Sequence, residues 1–167
     1  MDQKKIVCHD INNNLSEVGP EQLTWRPSIY GILIEGNKVL LSKQWDGYDF
    51  PGGGVNIDET LAEGLKREFF EETGLEIELI SPVYCRTSFF HPTRSTKSQG
   101  QYWNAVMIYY LVKKVGGQIS KDNCDAEEQK YLDLPEWIDV TQLKGLKFYN
   151  ALSIPENFDL VHKALTL

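Results

Sequence analysis

Two apolar, β-rich runs, Ile29 to Ile34 and Lys38 to Leu41, are joined by Glu35-Gly36-Asn37, a pattern that predicts a β-hairpin. Further on, Leu61, Ala62, Leu65 and Phe69 recur at helical spacing, which predicts a helix turning this side to the core. Thr60 followed by Glu63 is a capping-box pattern for its start, and Gly74 supplies a left-handed stop. Glu76 to Val83 then alternates as a strand, and Trp103 to Val112 is an apolar run that reads as a buried strand, with a turn at Gly116-Gly117. Tyr131 to Leu134 and Trp137 to Val140 are short strand candidates around Pro135. In the tail, Phe158, Val161 and Leu165 fall at helical spacing beside Leu160 and Ala164, predicting a closing helix within 150–167. Strands interspersed with two helices read as an α/β chain.

Chemistry enters on the first helix. Glu68, Glu71 and Glu72 stand at i, i+3 and i+4, so their carboxylates share one stripe and repel one another. A positive partner is therefore expected against them, either lysines on a solvated face or a hard divalent cation such as Mg²⁺, which takes oxygen ligands from a few carboxylates and substrate phosphates. Phe50-Pro51-Gly52-Gly53-Gly54 precedes the helix, and successive glycines let backbone groups approach a phosphate or its metal closely. Loop and stripe together favour the cation.

The order Gly53, five residues, Glu59, seven residues, Arg67-Glu68-Phe69, one residue, Glu71-Glu72, one residue, Gly74-Leu75 resembles the complete signature of the Nudix hydrolase family. Phe69 departs from it mildly, since an aliphatic residue is more usual there, and the departure touches packing rather than chemistry. The resemblance extends comfortably over residues 25 to 145. It implies an α/β/α sandwich around a mixed sheet and hydrolysis of the pyrophosphate bridge in a nucleoside diphosphate derivative. It also implies that Glu68, Glu71 and Glu72 bind Mg²⁺, or Mn²⁺ in its place, with the Gly52 carbonyl completing the ligand set. Arg67 would orient the carboxylates by charge-assisted hydrogen bonds, and Glu59 would bind a further metal or hold the loop against the helix. The general base is either a helix glutamate or a later acid, for which Asp125, Glu127 and Glu128 are candidates.

Composition agrees with a small enzyme. The 167 residues make one domain of ordinary size, with 1–24 as an N-terminal extension. Of a formal charge of −7, residues 58–78 carry −6, and no basic tract suits a long nucleic acid. Cys8, Cys85 and Cys124 are odd in number and widely spaced, so neither a disulfide framework nor a zinc site is indicated. No apolar stretch reads as a membrane span, and the expected compartment is the cytoplasm. The resemblance implies a small nucleotide as the partner and a chain that acts as a monomer or homodimer. Arg26, Trp45, Tyr48 and Trp103 are candidates for holding that nucleotide, the aromatics by stacking and Arg26 by a phosphate contact or an ion pair with an acid. The polar run from His91 to Gln101 is long enough for a substrate lid. Marks of the ADP-ribose, diadenosine polyphosphate, coenzyme A and NADH hydrolases are missing or displaced, Pro92 lying slightly too far along for the first. Elimination leaves nucleoside triphosphates, intact or oxidised, with ADP-ribose and nucleotide sugars as the alternative and an idle nucleotide-binding module as the rival of another class.

Overall fold

A computed structural model of the chain describes residues 4–93, 98–124, 126, 128–150 and 154–167. In chain order its elements are β1 (Ile6–His9), β2 (Leu15–Val18), β3 (Leu23–Glu35), β4 (Lys38–Gln44), β5 (Gly47–Asp49), β6 (Gly52–Gly54), α1 (Leu61–Thr73), β7 (Leu75–Phe90), β8 (Tyr102–Gly117), β9 (Glu136–Asp139) and α2 (Ile154–Ala164). The strands form one mixed sheet in the order β2-β1-β7-β8-β3-β4-β5, with β6 added beside β3 and β9 beside β4. β3 runs parallel to β8, and the other pairings are antiparallel except for a single parallel contact, His9 with Phe90, between β1 and β7.

The alternation along β3 sends its side chains to opposite faces, and each face receives one helix. Ile29 and Leu33 join Leu40, Leu65, Phe69, Leu75 and Val112 under α1. Ile32, with Val39, Leu41, Phe50 and Tyr109, packs under Leu160, Val161 and Ala164 of α2. The α/β/α sandwich is therefore present. Among the described residues no helix is long and apolar enough to cross a membrane.

Several expected boundaries move, each for a physical reason. β7 continues from the expected Glu76–Val83 to Phe90, because Ser81 and Pro82 sit at register irregularities that let a proline remain inside a long strand. β8 runs past Val112, where the ladder to β7 carries a charged pair, Lys113 Nζ to Glu78 Oε2 at 2.8 Å. Tyr131 to Leu134 forms no strand and touches β4 through an isolated bridge, Gln44 with Leu132. Residues within 1–24 add β1 and β2 to the sheet, sealed by Ile6, Cys8 and Val18 against Leu23 and Tyr102. Leu61 and Ala62, expected inward, are exposed in the first turn of α1, and Leu165 lies beyond the end of α2 and is also exposed.

Phe69 has a structural counterpart. Gly31 on β3 lies beneath it, and a Cβ at Gly31 would stand 2.7 Å from the Phe69 ring. The aromatic departure from the signature is thus matched by a residue without a side chain on the facing strand, and this fit seats α1 on the sheet. Gly31→Ala is expected to cost about 1–3 kcal/mol by overpacking, read as a lowered urea midpoint, and Phe69→Leu in the same chain should recover most of the loss. An unchanged midpoint for Gly31→Ala would remove this packing account.

Candidate active site

The helix that carries the acids is fixed at both ends. Thr60 N donates to Glu63 Oε2 at 2.8 Å, Glu63 N donates back to Thr60 Oγ1 at 3.3 Å, and Gly74 ends the helix at φ +72° with its N–H on Phe70 O. With the register held, Arg67, Glu68, Glu71 and Glu72 all line one cleft of about 770 Å³ together with Gly52, Gly53 and Gly54.

Arg67 is the hub of this cluster. Its Nε and Nη2 grip the two oxygens of Glu59 at 2.5 and 2.9 Å, while Nη1 donates to Glu68 at 2.9 Å and Glu71 at 3.1 Å. Nη2 also donates to the Gly54 carbonyl at 3.0 Å, so one guanidinium joins helix, loop and approach segment. The Glu59 and Glu68 side chains retain only 16% and 14% exposure, so solvent screens these pairs less than it would surface ones. The guanidinium and the Asn56 N–H hold the Glu59 carboxyl down at about 2. Glu59 therefore braces Arg67 and the loop, and it stands outside the cleft lining.

Glu72 is placed differently. Its Oε2 accepts from Ser42 Oγ at 2.6 Å and from Gly52 N at 3.2 Å. Burial pushes its carboxyl well above the usual range, the charges of Glu68 and Asp49 push the same way, and the two donors oppose them. The glycine strand is fitted against these acids: a Cβ at Gly53 would meet Glu68 Oε2 at 2.5 Å, and one at Gly52 would meet Ile29 O at 2.2 Å. Gly52 also takes φ +144°, a conformation that favours glycine.

Among the described residues no three His, Cys, Asp or Glu side chains are already gathered around one point as a metal cage. Arg67 draws Glu68 and Glu71 toward itself while Glu72 turns to Ser42. The donor set nevertheless fits a hard cation. It is all oxygen and lines one cleft, and a charge that burial disfavours on Glu72 is one that a divalent ion would stabilise.

The nucleotide candidates separate. Arg26 lines the cleft with its guanidinium carbon 4.1 Å from the Trp103 ring centre, and Phe90 tilts against the same ring at 6.0 Å. Among the described residues no ion pair engages Arg26. Trp45 also lines the cleft, stacked on Tyr131 at 4.7 Å and edge-on to Tyr149 at 5.1 Å. Its φ of +49° opens the two-residue β4–β5 turn, where glycine is the usual occupant, and such a backbone costs on the order of 1 kcal/mol. Tyr48 departs from expectation: alternation turns it away from the cleft lining, and its hydroxyl donates to Glu136 at 2.8 Å. Asp125 and Glu127 lie outside the described residues, as does the side chain of Glu128. Of the expected lid, Pro92, Thr93, Ser98 and Gln101 border the cleft and 94–97 lie outside the described residues.

One cleft acid had no place in the expectations. Asp49 accepts from Phe50 N at 2.7 Å and from Asn150 Nδ2 at 3.0 Å. Burial raises its carboxyl from 3.8 to about 7 against the pull of those two donors. An acid directly before Phe50-Pro51 and three residues before the glycines was the available signal. A folded-state value above the unfolded one means that ionising Asp49 costs folding free energy, a cost that grows as pH rises from 3.8 through about 7. In chelator, Asp49→Asn should therefore melt like the parent near pH 4 and melt at least about 2 °C higher at pH 8. An equal difference at both pH values would contradict the assignment.

The family described as NUDIX domain matches this chain over residues 24–157. The chain is 42% identical over 127 residues to an 8-oxo-dGTP diphosphatase of Buchnera aphidicola, covering 72% of this chain and 82% of that protein. It is 30% identical over 114 residues to an ADP-ribose pyrophosphatase of Methanocaldococcus jannaschii, covering 64% of this chain and 61% of that protein. The chain thus spans less than two thirds of the latter relative's length. A solved NUDIX hydrolase from Nitrosomonas europaea shares the fold with a TM-score of 0.63 at 13% identity, covering 86% of this chain and 90% of that one.

Proposed function

Because this chain belongs to the Nudix family, we propose that it is a divalent-cation-dependent pyrophosphohydrolase that cleaves a nucleoside triphosphate, intact or oxidised, to a nucleoside monophosphate and pyrophosphate. The observation that carries the reading is the Arg67 fork, which gathers Glu59, Glu68 and Glu71 and ties them to the glycine loop in the same cleft as Glu72. The choice of a triphosphate is supported by Arg26 beside that loop and by the name of the relative at 42% identity.

Glu68, Glu71, Glu72 and the Gly52 carbonyl would hold Mg²⁺ or Mn²⁺. When bound, the ion supplies neutralisation of the bridging phosphates and a lowered pKa for water. Arg67 gathers Glu68 and Glu71 on one guanidinium nitrogen at the cleft wall and offsets their mutual repulsion. The side-chain-free strand Gly52–Gly54 lets the phosphate chain lie directly on the backbone. Water oxygen then bonds to one of the two phosphorus atoms flanking the α–β bridging oxygen. That phosphorus loses its bond to the bridging oxygen, which leaves with its electron pair on the other product, and a cleft carboxylate takes the water proton. With Cys8, Cys85 and Cys124 unbridged, a reducing compartment such as the cytoplasm suits the chain.

Glu72→Gln keeps both hydrogen bonds available and removes the charge, so the fold should melt within a few degrees of the parent while Mg²⁺-dependent turnover falls by about 100-fold or more. A panel of nucleoside triphosphates, oxidised triphosphates, ADP-ribose, nucleotide sugars and dinucleotides, scored for both products, tests the substrate. Pyrophosphate release from a triphosphate is the expected outcome. Preferential conversion of ADP-ribose or a nucleotide sugar to two monophosphates would replace this reading, as would full turnover by Glu72→Gln, and no turnover at all would leave a nucleotide-binding module.

A further inference from the structure

The contacts along the glycine strand put the cleft in order. A Cβ on Gly54 would meet Arg26 Nη2 at 2.6 Å, one on Gly53 would meet Glu68, and the Gly52 N–H reaches Glu72. The same Glu72 oxygen accepts from Ser42 on β4, and three residues beyond Ser42 the chain turns at Trp45. The sequence of neighbours across the cleft is thus Trp103 and Arg26, Gly54, Gly53 with Glu68, Gly52 with Glu72, Ser42, and then Trp45 with Tyr131 and Tyr149. Acids and glycines occupy the middle, and the two aromatic groups occupy opposite ends.

These ends differ in chemistry. At one, the Trp103 face is covered by a guanidinium, which fixes Arg26 and leaves its N–H edge as an anion donor. At the other, Trp45 is the exposed member of a stacked aromatic group, 38% accessible and presented by a backbone conformation that glycine would adopt more easily. Holding an indole at the cleft in this turn works against the local backbone preference.

We propose that the substrate lies in one direction only, its base stacked on Trp45 at the β4–β5 turn and its phosphate tail ending at Arg26. The inference rests on reading the cleft as a nucleotide site and adds to it a specificity platform and a polarity. Trp45 and Tyr131 bind the base, and Arg26 binds the terminal phosphates. Aromatic stacking tolerates every base, so discrimination among bases falls to polar groups beside the platform, of which Asp49 and Gln44 line the same cleft.

The two halves of the substrate can be tested separately by calorimetry in Mg²⁺, with GMP and AMP as probes of the base end and imidodiphosphate as a probe of the tail end. Trp45→Gly suits the backbone, so the variant should fold. It should bind the monophosphates at least about fivefold more weakly and imidodiphosphate within twofold of the parent, while Trp45→Phe restores most of the loss. Arg26→Ala should give the opposite pattern. Unaltered monophosphate binding by Trp45→Gly, or equal weakening of both probes by either variant, would overturn the polarity while leaving turnover by the parent intact. A parent protein that binds neither probe would instead overturn the nucleotide reading of the cleft, and the polarity with it.

Discussion

The fold and the site meet at one side chain, Arg67. Its planar fork carries five N–H donors for five acceptors: Nε and Nη2 serve the two oxygens of Glu59, Nη2 also reaches the Gly54 carbonyl, and Nη1 serves Glu68 and Glu71. Each acceptor belongs to a different stretch of backbone or a different turn of α1, so the guanidinium sets how closely the glycine strand approaches the helix. Without it, three carboxylates within five residues would repel one another, and the glycine strand would keep its pairing with β3 but lose the tie from Gly54 to α1. A lysine could supply the charge but not the fork. The fork also divides labour among the acids. Glu59 is spent on Arg67, Glu68 and Glu71 share it, and Glu72 is left to backbone and serine donors in a place where its own charge is disfavoured.

That division was legible in the sequence to different depths. The limits of α1, Thr60 and Gly74, could be read because capping is local chemistry, decided within four residues of the helix end. The shared stripe of Glu68, Glu71 and Glu72 followed from helical geometry alone. The strands were less readable. β7 and β8 outrun their apolar cores because a ladder is held by backbone hydrogen bonds, which Lys113 and Glu78 satisfy as well as valines do. β1 and β2 were invisible because four residues each give too little alternation to register.

Within the site, what escaped is what depends on distant chain segments. Tyr48 and Asp49 are adjacent in sequence, and the pleat of β5 sends one to Glu136 and the other to the cleft, a choice fixed by pairing with β4 rather than by residue type. Asp49 becomes unusual only in the folded chain, where burial raises its carboxyl against the pull of a donor, Asn150, that comes from about a hundred residues later. Trp45 could be named as an aromatic near a strand end, whereas its positive φ and its stack on Tyr131 exist only in the folded chain.

The cleft itself follows from a failure of pairing. β4 stays with β3 only beside the turn, at Ile34 with Val39 and Glu35 with Lys38, and then leaves it. The edge of β3 so vacated, from Ser28 to Tyr30, is taken by Gly54 to Gly52. A strand of ordinary residues could not fill it, because a Cβ at Gly52 would strike Ile29 O and one at Gly53 would strike Glu68. The split between β4 and β3 therefore requires the glycines, and the glycines bring a bare backbone under the acids of α1. From the far side of the split β4 carries Ser42 to Glu72 and, three residues on, Trp45 to the mouth. Acidic helix, glycine strand and aromatic turn are consequences of a single departure of one strand from its neighbour, which is why they arrive together in one cleft.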